Sequence, residues 1–198
     1  MSIVVEHEKR RKEILEKALD VFVDEGFEDA TFQKISDRCG ITRTTLYIYF
    51  KNKKEIFNYS IKQLLQELEA DISLTEKQKN LHSADKLIMV LTLIVGRLEE
   101  NQRLLHVILN YLLHLSKSET NPDDRVRRRT IRLRHIIAGM VIAGIKAGEL
   151  APFNVKTIDD LLYGFLECAI FRLVVLHRKT VSEINESIAL TVNKLRIQ

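Results

Sequence analysis

Residues 42–53 read TRTTLYIYFKNK, a run of donor side chains with no acid among them. Such a surface can donate hydrogen bonds to phosphate oxygens and to base edges. Arg43 carries the fork that matches O6 and N7 of guanine, and Thr44 and Thr45 offer hydroxyls or methyls beside it. Thr42 and Thr45 can bond phosphates. Tyr47 and Tyr49 each hold a donor at the end of a rigid ring, and Lys53 adds an ammonium on the same side. Upstream, Thr31 stands at a helix start, where free backbone N–H groups and the helix dipole favour a phosphate. In such a surface phosphate contacts fix register, and Arg43, Thr44 and Thr45 read sequence.

Those side chains need short helices to hold them. The first helix is expected over about residues 8–25, with Ile14, Leu15, Ala18, Leu19 and Phe22 on one face and Gly26 as its stop. Thr31 caps a second helix that buries Phe32 and Ile35. Gly40 makes a turn with Ile41 packed beneath it. Thr42 caps a third helix whose inner residues are Leu46 and, just past it, Phe50. Asn52 caps a fourth, which carries Ile56, Phe57, Ile61, Leu64, Leu65 and Leu68. The expected core of this bundle is Leu19, Phe22, Phe27, Phe32, Ile35, Ile41, Leu46, Phe50 and Ile56. Two short helices meeting at a glycine turn, the second lined with donors, suit a groove of duplex DNA.

The composition allows this without demanding it. The chain has 198 residues, 45% hydrophobic and 29% charged, with a formal net charge of +4. The positive field is local: Arg38, Arg43, Lys51, Lys53 and Lys54 face no acid between residues 38 and 54, while Asp20, Asp24, Glu25, Glu28 and Asp29 lie just upstream. A second basic cluster, HEKRRK, spans residues 7–12. Two cysteines far apart, Cys39 and Cys168, match no metal spacing and suit a reducing cytoplasm. No signal region opens the sequence, and no apolar run is long enough to span a membrane. A cytoplasmic protein is expected, associated with the nucleoid when bound to DNA. No glycine-rich phosphate loop, nucleophile elbow or paired carboxylates appear, so neither an enzyme nor a cofactor is expected.

In order and without gaps, Gly26, Phe27, Thr31, Ile35, Gly40, Ile41, Thr42, Thr45, Leu46, Tyr47, Tyr49, Phe50, Asn52 and Lys53 resemble the DNA-binding domain of the tetracycline-repressor-like (TetR) family of bacterial regulators. Three positions depart from the family pattern: Ala30 for a frequent threonine, Thr44 for a frequent glycine, and Ile48 for a frequent polar or aromatic residue. Thr44 and Ile48 lie on or beside the reading surface, so this chain's operator is its own. The resemblance implies phosphate contacts at Tyr47, Tyr49 and Lys53. It also implies an all-α fold: a helix-turn-helix domain over residues 1–54, linked through a fourth helix over about 52–72 to a larger effector-binding and dimerisation domain over 55–198.

The larger half carries no strict signature. A polar stretch over residues 73–83 is the expected junction. A helix over 83–100 is apolar nearly all round and belongs in the middle of a domain. Others are expected over about 102–116, from the NPDD turn at residues 121–124 to Gly148, over 155–178 and over 181–197. Met89, Thr92, Gly96, Tyr163 and Glu167 are candidate pocket residues, polar atoms among aliphatics that suit a small hydrophobic effector with one polar group. Gly164 and Cys168, one turn apart, would let another helix approach. With Phe171 they are the candidate dimer contacts, the family placing the last two helices in a four-helix interface. Arg125, Arg127, Arg128, Arg129, Arg132 and Arg134 suit either an acidic ligand such as an acyl-CoA, extra DNA contact, or a solvated face. His106, Asn110 and His114 share a stripe with Arg103 and Lys117 that reads as an outer face rather than a metal site or the polar floor of a ligand pocket. The sum is a homodimeric, ligand-responsive repressor on a palindromic operator. The alternatives are a small-molecule carrier or enzyme with a vestigial DNA domain, and a DNA-bound adaptor for a protein partner.

Overall fold

The computed structural model describes residues 2–78, 80–117 and 124–197. Among them the chain is all-α: α1 (Ser2–Asp29), α2 (Phe32–Cys39), α3 (Arg43–Tyr49), α4 (Lys53–Glu76), α5 (Ser83–Glu100), α6 (Gln102–Lys117), α7 (Asp124–Lys146), α8 (Val155–Val174) and α9 (Glu183–Asn193). The sole departure among the described residues is an isolated antiparallel bridge between Leu150 and Arg196. Residues 121–123 of the expected turn lie outside the described residues, as do the side chains of Arg125, Arg127, Arg128 and Arg129.

Two compact units form. One comprises residues 1–67 and 103–120, the other 68–102 and 121–198. This grouping differs from a single cut after residue 54, because α6 returns to the N-terminal unit.

In the N-terminal unit Phe22, Phe27, Ile35, Leu46, Phe50 and Ile56 are buried as expected, while Leu19, Phe32 and Ile41 pack half-buried at the margin. Leu104, Val107 and Tyr111 of α6 complete the core. Tyr111 lies edge-on to Phe27 at 4.7 Å and to Phe57 at 5.2 Å between ring centroids, within the range that favours aromatic pairs. Gly26 breaks α1 as expected. Its φ of 81° is a conformation that side chains resist, and residues 27–29 form a last helical turn beyond the kink.

In the second unit α5 packs against α7, α8 and α9. Leu87, Val90, Leu91, Ile94 and Val95 are buried along it, which fits its near-uniform apolar pattern. Gly144 lets α7 approach the start of α5: a Cβ there would come within 2.5 Å of the Leu150 side chain and 2.9 Å of Ser83 Cβ. The last two helices are shorter than expected. α8 stops at Val174 because the chain turns through His177 at φ 52°, with Leu176 N–H donating to Phe171 O and Arg178 N–H to Arg172 O. α9 ends at Asn193, and its tail pairs Ala151 N–H with Leu195 O at 2.8 Å.

Candidate nucleic-acid interface

The turn between α2 and α3 is built from satisfied backbone groups. Gly40 takes the left-handed conformation, φ 65°, and its N–H donates to Asp37 O. Ile41 N–H donates to Ser36 O, so carbonyls that α2 would leave orphaned are paired. Thr31 Oγ1 accepts from Lys34 N–H at 3.2 Å and Thr42 Oγ1 from Thr45 N–H at 3.1 Å. Both threonines therefore cap their helices as the sequence predicts, each such cap contributing about 1 kcal/mol. Asn52 caps α4 through Glu55 N–H at 2.9 Å.

Leu46, with no exposed surface, pins α3 to the core, and Phe50 closes its C-terminal end. Arg43, Thr44 and Tyr47 are left exposed, with Thr31 and Thr42; Thr45 and Tyr49 are half-buried. Tyr47 rests its ring on Phe32 at 4.8 Å and accepts a hydrogen bond from Arg43 Nη2 at 3.1 Å. Tyr49 stacks on His7 at 4.7 Å. Both phenols are thus braced by their rings, which lowers the entropy cost of holding a hydroxyl outward.

Lys53 is placed differently from a side chain held free for solvent. Its Nζ donates to Phe27 O at 2.8 Å and Glu28 O at 2.6 Å, and it lies 4.9 Å from the Phe27 ring centroid. An ammonium there satisfies carbonyls at the C-terminal end of α1. Two other cations of α2 are held by acids of α1. Arg38 pairs with Asp24 at 2.9 Å, a hydrogen bond that pushes its already high pKa further up, and Lys34 pairs with Glu25. The acidic run upstream therefore clamps α2 to α1 and leaves Arg43, Lys51 and Lys54 exposed.

One feature escaped the sequence reading. Arg11 lies over Phe50 and Tyr59, 4.9 and 4.2 Å from their centroids, and so braces the end of α3 from α1. Its place one turn before Ile14 and Leu15 was the available signal. Ile48 is 68% exposed on α3 between the two tyrosines.

The residues proposed for other roles separate. Met89, Thr92 and Gly96 line an open groove of about 620 Å³ with Asp71, Ile88, Leu93, Arg97 and Glu100. Tyr163 and Glu167 are not among its lining residues: Tyr163 lies 5.0 Å from the Arg134 guanidinium at the α7–α8 contact, and Glu167 is exposed. Arg134 itself pairs with the buried Asp159 at 2.8 Å and with Asp160, and Arg132 pairs with Glu69 at 3.1 Å. On α8, Gly164 opens outward, since an added Cβ there would meet nothing within 4 Å, and Phe171 is 52% exposed. Cys39 and Cys168 are half-buried free thiols, and burial pushes Cys39 up, away from the reactive thiolate. His106 is half-buried and His114 exposed, and no group of metal-binding side chains forms among the described residues. No described helix is long and apolar enough to cross a membrane.

This arrangement agrees with what known proteins show. Residues 14–59 match the family model described as bacterial regulatory proteins, tetR family. That match runs from α1 into α4 and so spans the helix-turn-helix. A fatty acid metabolism regulator protein of Bacillus subtilis is 24% identical over 167 residues, covering 81% of this chain and 82% of the relative. A TetR transcription regulator from Haloarcula marismortui superposes with a TM-score of 0.75 at 19% identity, over 96% of this chain and 97% of the other. The regulator FadR from Bacillus subtilis, in complex with stearoyl-CoA, has a TM-score of 0.69 at 21% identity, over 91% and 96% of the two chains. The comparisons support a DNA-binding transcriptional regulator.

Proposed function

We propose that the protein is a homodimeric transcriptional repressor, released from a palindromic operator by a small hydrophobic effector. The carrying observation is α3: a short capped helix, anchored by Leu46, that presents Arg43, Thr44 and Tyr47 to solvent. Arg43 reads base edges with Thr44 and Thr45. Thr31, Thr42, Tyr47 and Tyr49 hold the phosphates, and Lys53 sits beside the same strand. Two copies related by a two-fold axis require a two-fold site.

The dimer is supported by an outward seam on α8. Leu161, Gly164, Cys168, Phe171 and Val175 recur at three- and four-residue spacing, and Leu161, Phe171 and Val175 are about half exposed. Effector binding supports release only by its differential affinity for two separations of the reading helices, one of which fits the operator. The groove beside Met89, Thr92 and Gly96 is the first place to look for the effector. A long-chain acyl-CoA is the first compound to try, given the fatty acid regulator among the relatives and the stearoyl-CoA complex on this fold.

Selection of duplexes from a random pool, followed by titration at fixed salt, tests the reading. A two-fold-symmetric site bound by a dimer, and lost on adding acyl-CoA or another apolar ligand, is expected. A chain that retains no duplex, or a monomer, would overturn it.

A further inference from the structure

We infer that Ile48 is a specificity-determining residue that reads the 5-methyl group of a thymine in the major groove. The inference rests on the DNA-reading role proposed above. Residues of a helix are spaced by about 100°, so taking Leu46 as the inward direction places Thr44 at about 160° and Ile48 at about 200°. These two side chains are the crown of α3. Arg43 and Tyr47 lie on one flank, and Thr45 and Tyr49 on the other. The flanks are already tied down, by the Arg43–Tyr47 hydrogen bond, the Tyr47–Phe32 contact and the Tyr49–His7 stack. The crown is what first meets a base edge.

At that crown stands an isoleucine, 68% exposed. A branched aliphatic on a short surface helix has poor helix propensity and no partner within its own unit's core, so it does nothing for the fold there. Its neighbours are cationic and hydroxylated: Arg43, Thr44, Thr45, Lys51 and Lys54, with no acid between residues 38 and 54. This charge pattern suits a polyanion. An isoleucine can neither donate nor accept a hydrogen bond, and the major-groove edge offers it one apolar group, the thymine methyl. Thr44, one turn before, adds a second methyl on the same ridge.

The test uses the full-length protein and the duplex selected from a random pool. Each thymine is replaced singly by uracil, which keeps base pairing and removes the methyl. One thymine per half-site is expected to lose about fourfold in affinity on replacement, the effect of burying one methyl-sized group. Ile48→Ala should bind the thymine and uracil duplexes equally, and Ile48→Val should keep most of the preference. The exposed position makes either variant safe for folding. Equal affinity of the parent protein for thymine and uracil at every position would overturn the inference, and is also the result expected were the ridge a docking face for a protein. A preference that survives in Ile48→Ala would overturn it as well, because another residue would then read the methyl. A chain that selects no duplex at all would instead bring down the DNA-reading role itself.

Discussion

Two helices of this protein present an unburied ridge, and the ridges have opposite chemistry. On α3 the ridge is two residues long, Thr44 and Ile48, and is bordered by a guanidinium, hydroxyls and phenols. On α8 it runs from Leu161 to Phe171, with Val175 just past the helix end, and is apolar along nearly its whole length, with Gly164 leaving a notch. A short ridge bordered by donors gains specificity from a partner that supplies acceptors. A long apolar ridge gains free energy from any surface that removes it from water, most readily its own copy. The first predicts an interaction that salt weakens steeply; the second predicts one that salt leaves almost untouched.

The largest break expected in this contrast is Phe171→Glu. A carboxylate in the middle of the α8 ridge would be buried unpaired in a dimer, a cost of several kcal/mol. The protein should elute as a monomer on light-scattering chromatography. Operator affinity should fall by about a hundredfold or more as two-site binding is lost, without any change on α3. A Phe171→Glu dimer with full affinity would mean that the α8 ridge faces something else.

A smaller loss follows on α3. Arg43→Ala should cost about 1–3 kcal/mol per half-site and relax preference at one base pair, read by fluorescence anisotropy against operators varied at each position. Tyr47→Ala should weaken all sequences alike, since a phosphate contact carries no sequence information. The oligomeric state should be unchanged in both. If Arg43→Ala weakened all sequences equally, the guanidinium would belong to the phosphate set.

The same contrast explains how much could be read before any coordinates. The reading head is set by local rules. Thr31, Thr42 and Asn52 each cap a helix, Gly40 needs a left-handed turn, and Leu46 and Phe50 fall where a short helix must bury them. Such signals reach only three or four residues and survive in the sequence. What was not legible is what comes from far along the chain. Nothing near Tyr111 says that it will wedge between Phe27 and Phe57, and the return of α6 to the first unit follows from packing alone. Tyr163 looked like a pocket residue because it is a polar aromatic among aliphatics, and Arg134 on a different helix decides where it lies. The early end of α8 depends on His177 adopting a positive φ, which histidine does rarely and no local pattern announces.

The smallest effects concern how each unit fixes a helix end, and they sharpen the comparison in charge. Lys53 places an ammonium on carbonyls at the end of α1; Glu149 places a carboxylate on the start of α5, accepting from Ser83 N–H at 2.7 Å. Each charge opposes the local end of the helix dipole. Lys53→Met should destabilise the protein by about 1 kcal/mol in urea unfolding. If Lys53 also holds a phosphate, the salt slope of DNA binding should fall by about 0.9 per half-site; if it acts only within the fold, the slope should stay. Glu149 responds instead to acid. Hydrogen bonds from Ser83, side chain and backbone, hold its carboxyl below the ordinary value of 4.5. A carboxylate depressed in the folded state gives stability that is present in full above the unfolded value, and that is lost as pH falls through the lower folded value. Glu149→Gln keeps an acceptor for Ser83 N–H but cannot titrate. Its stability should therefore change less than that of the parent protein between about pH 5 and pH 3, measured as the difference between the two urea midpoints. Parallel curves would show that Glu149 is solvated in the folded protein and that Ser83 N–H is satisfied by water.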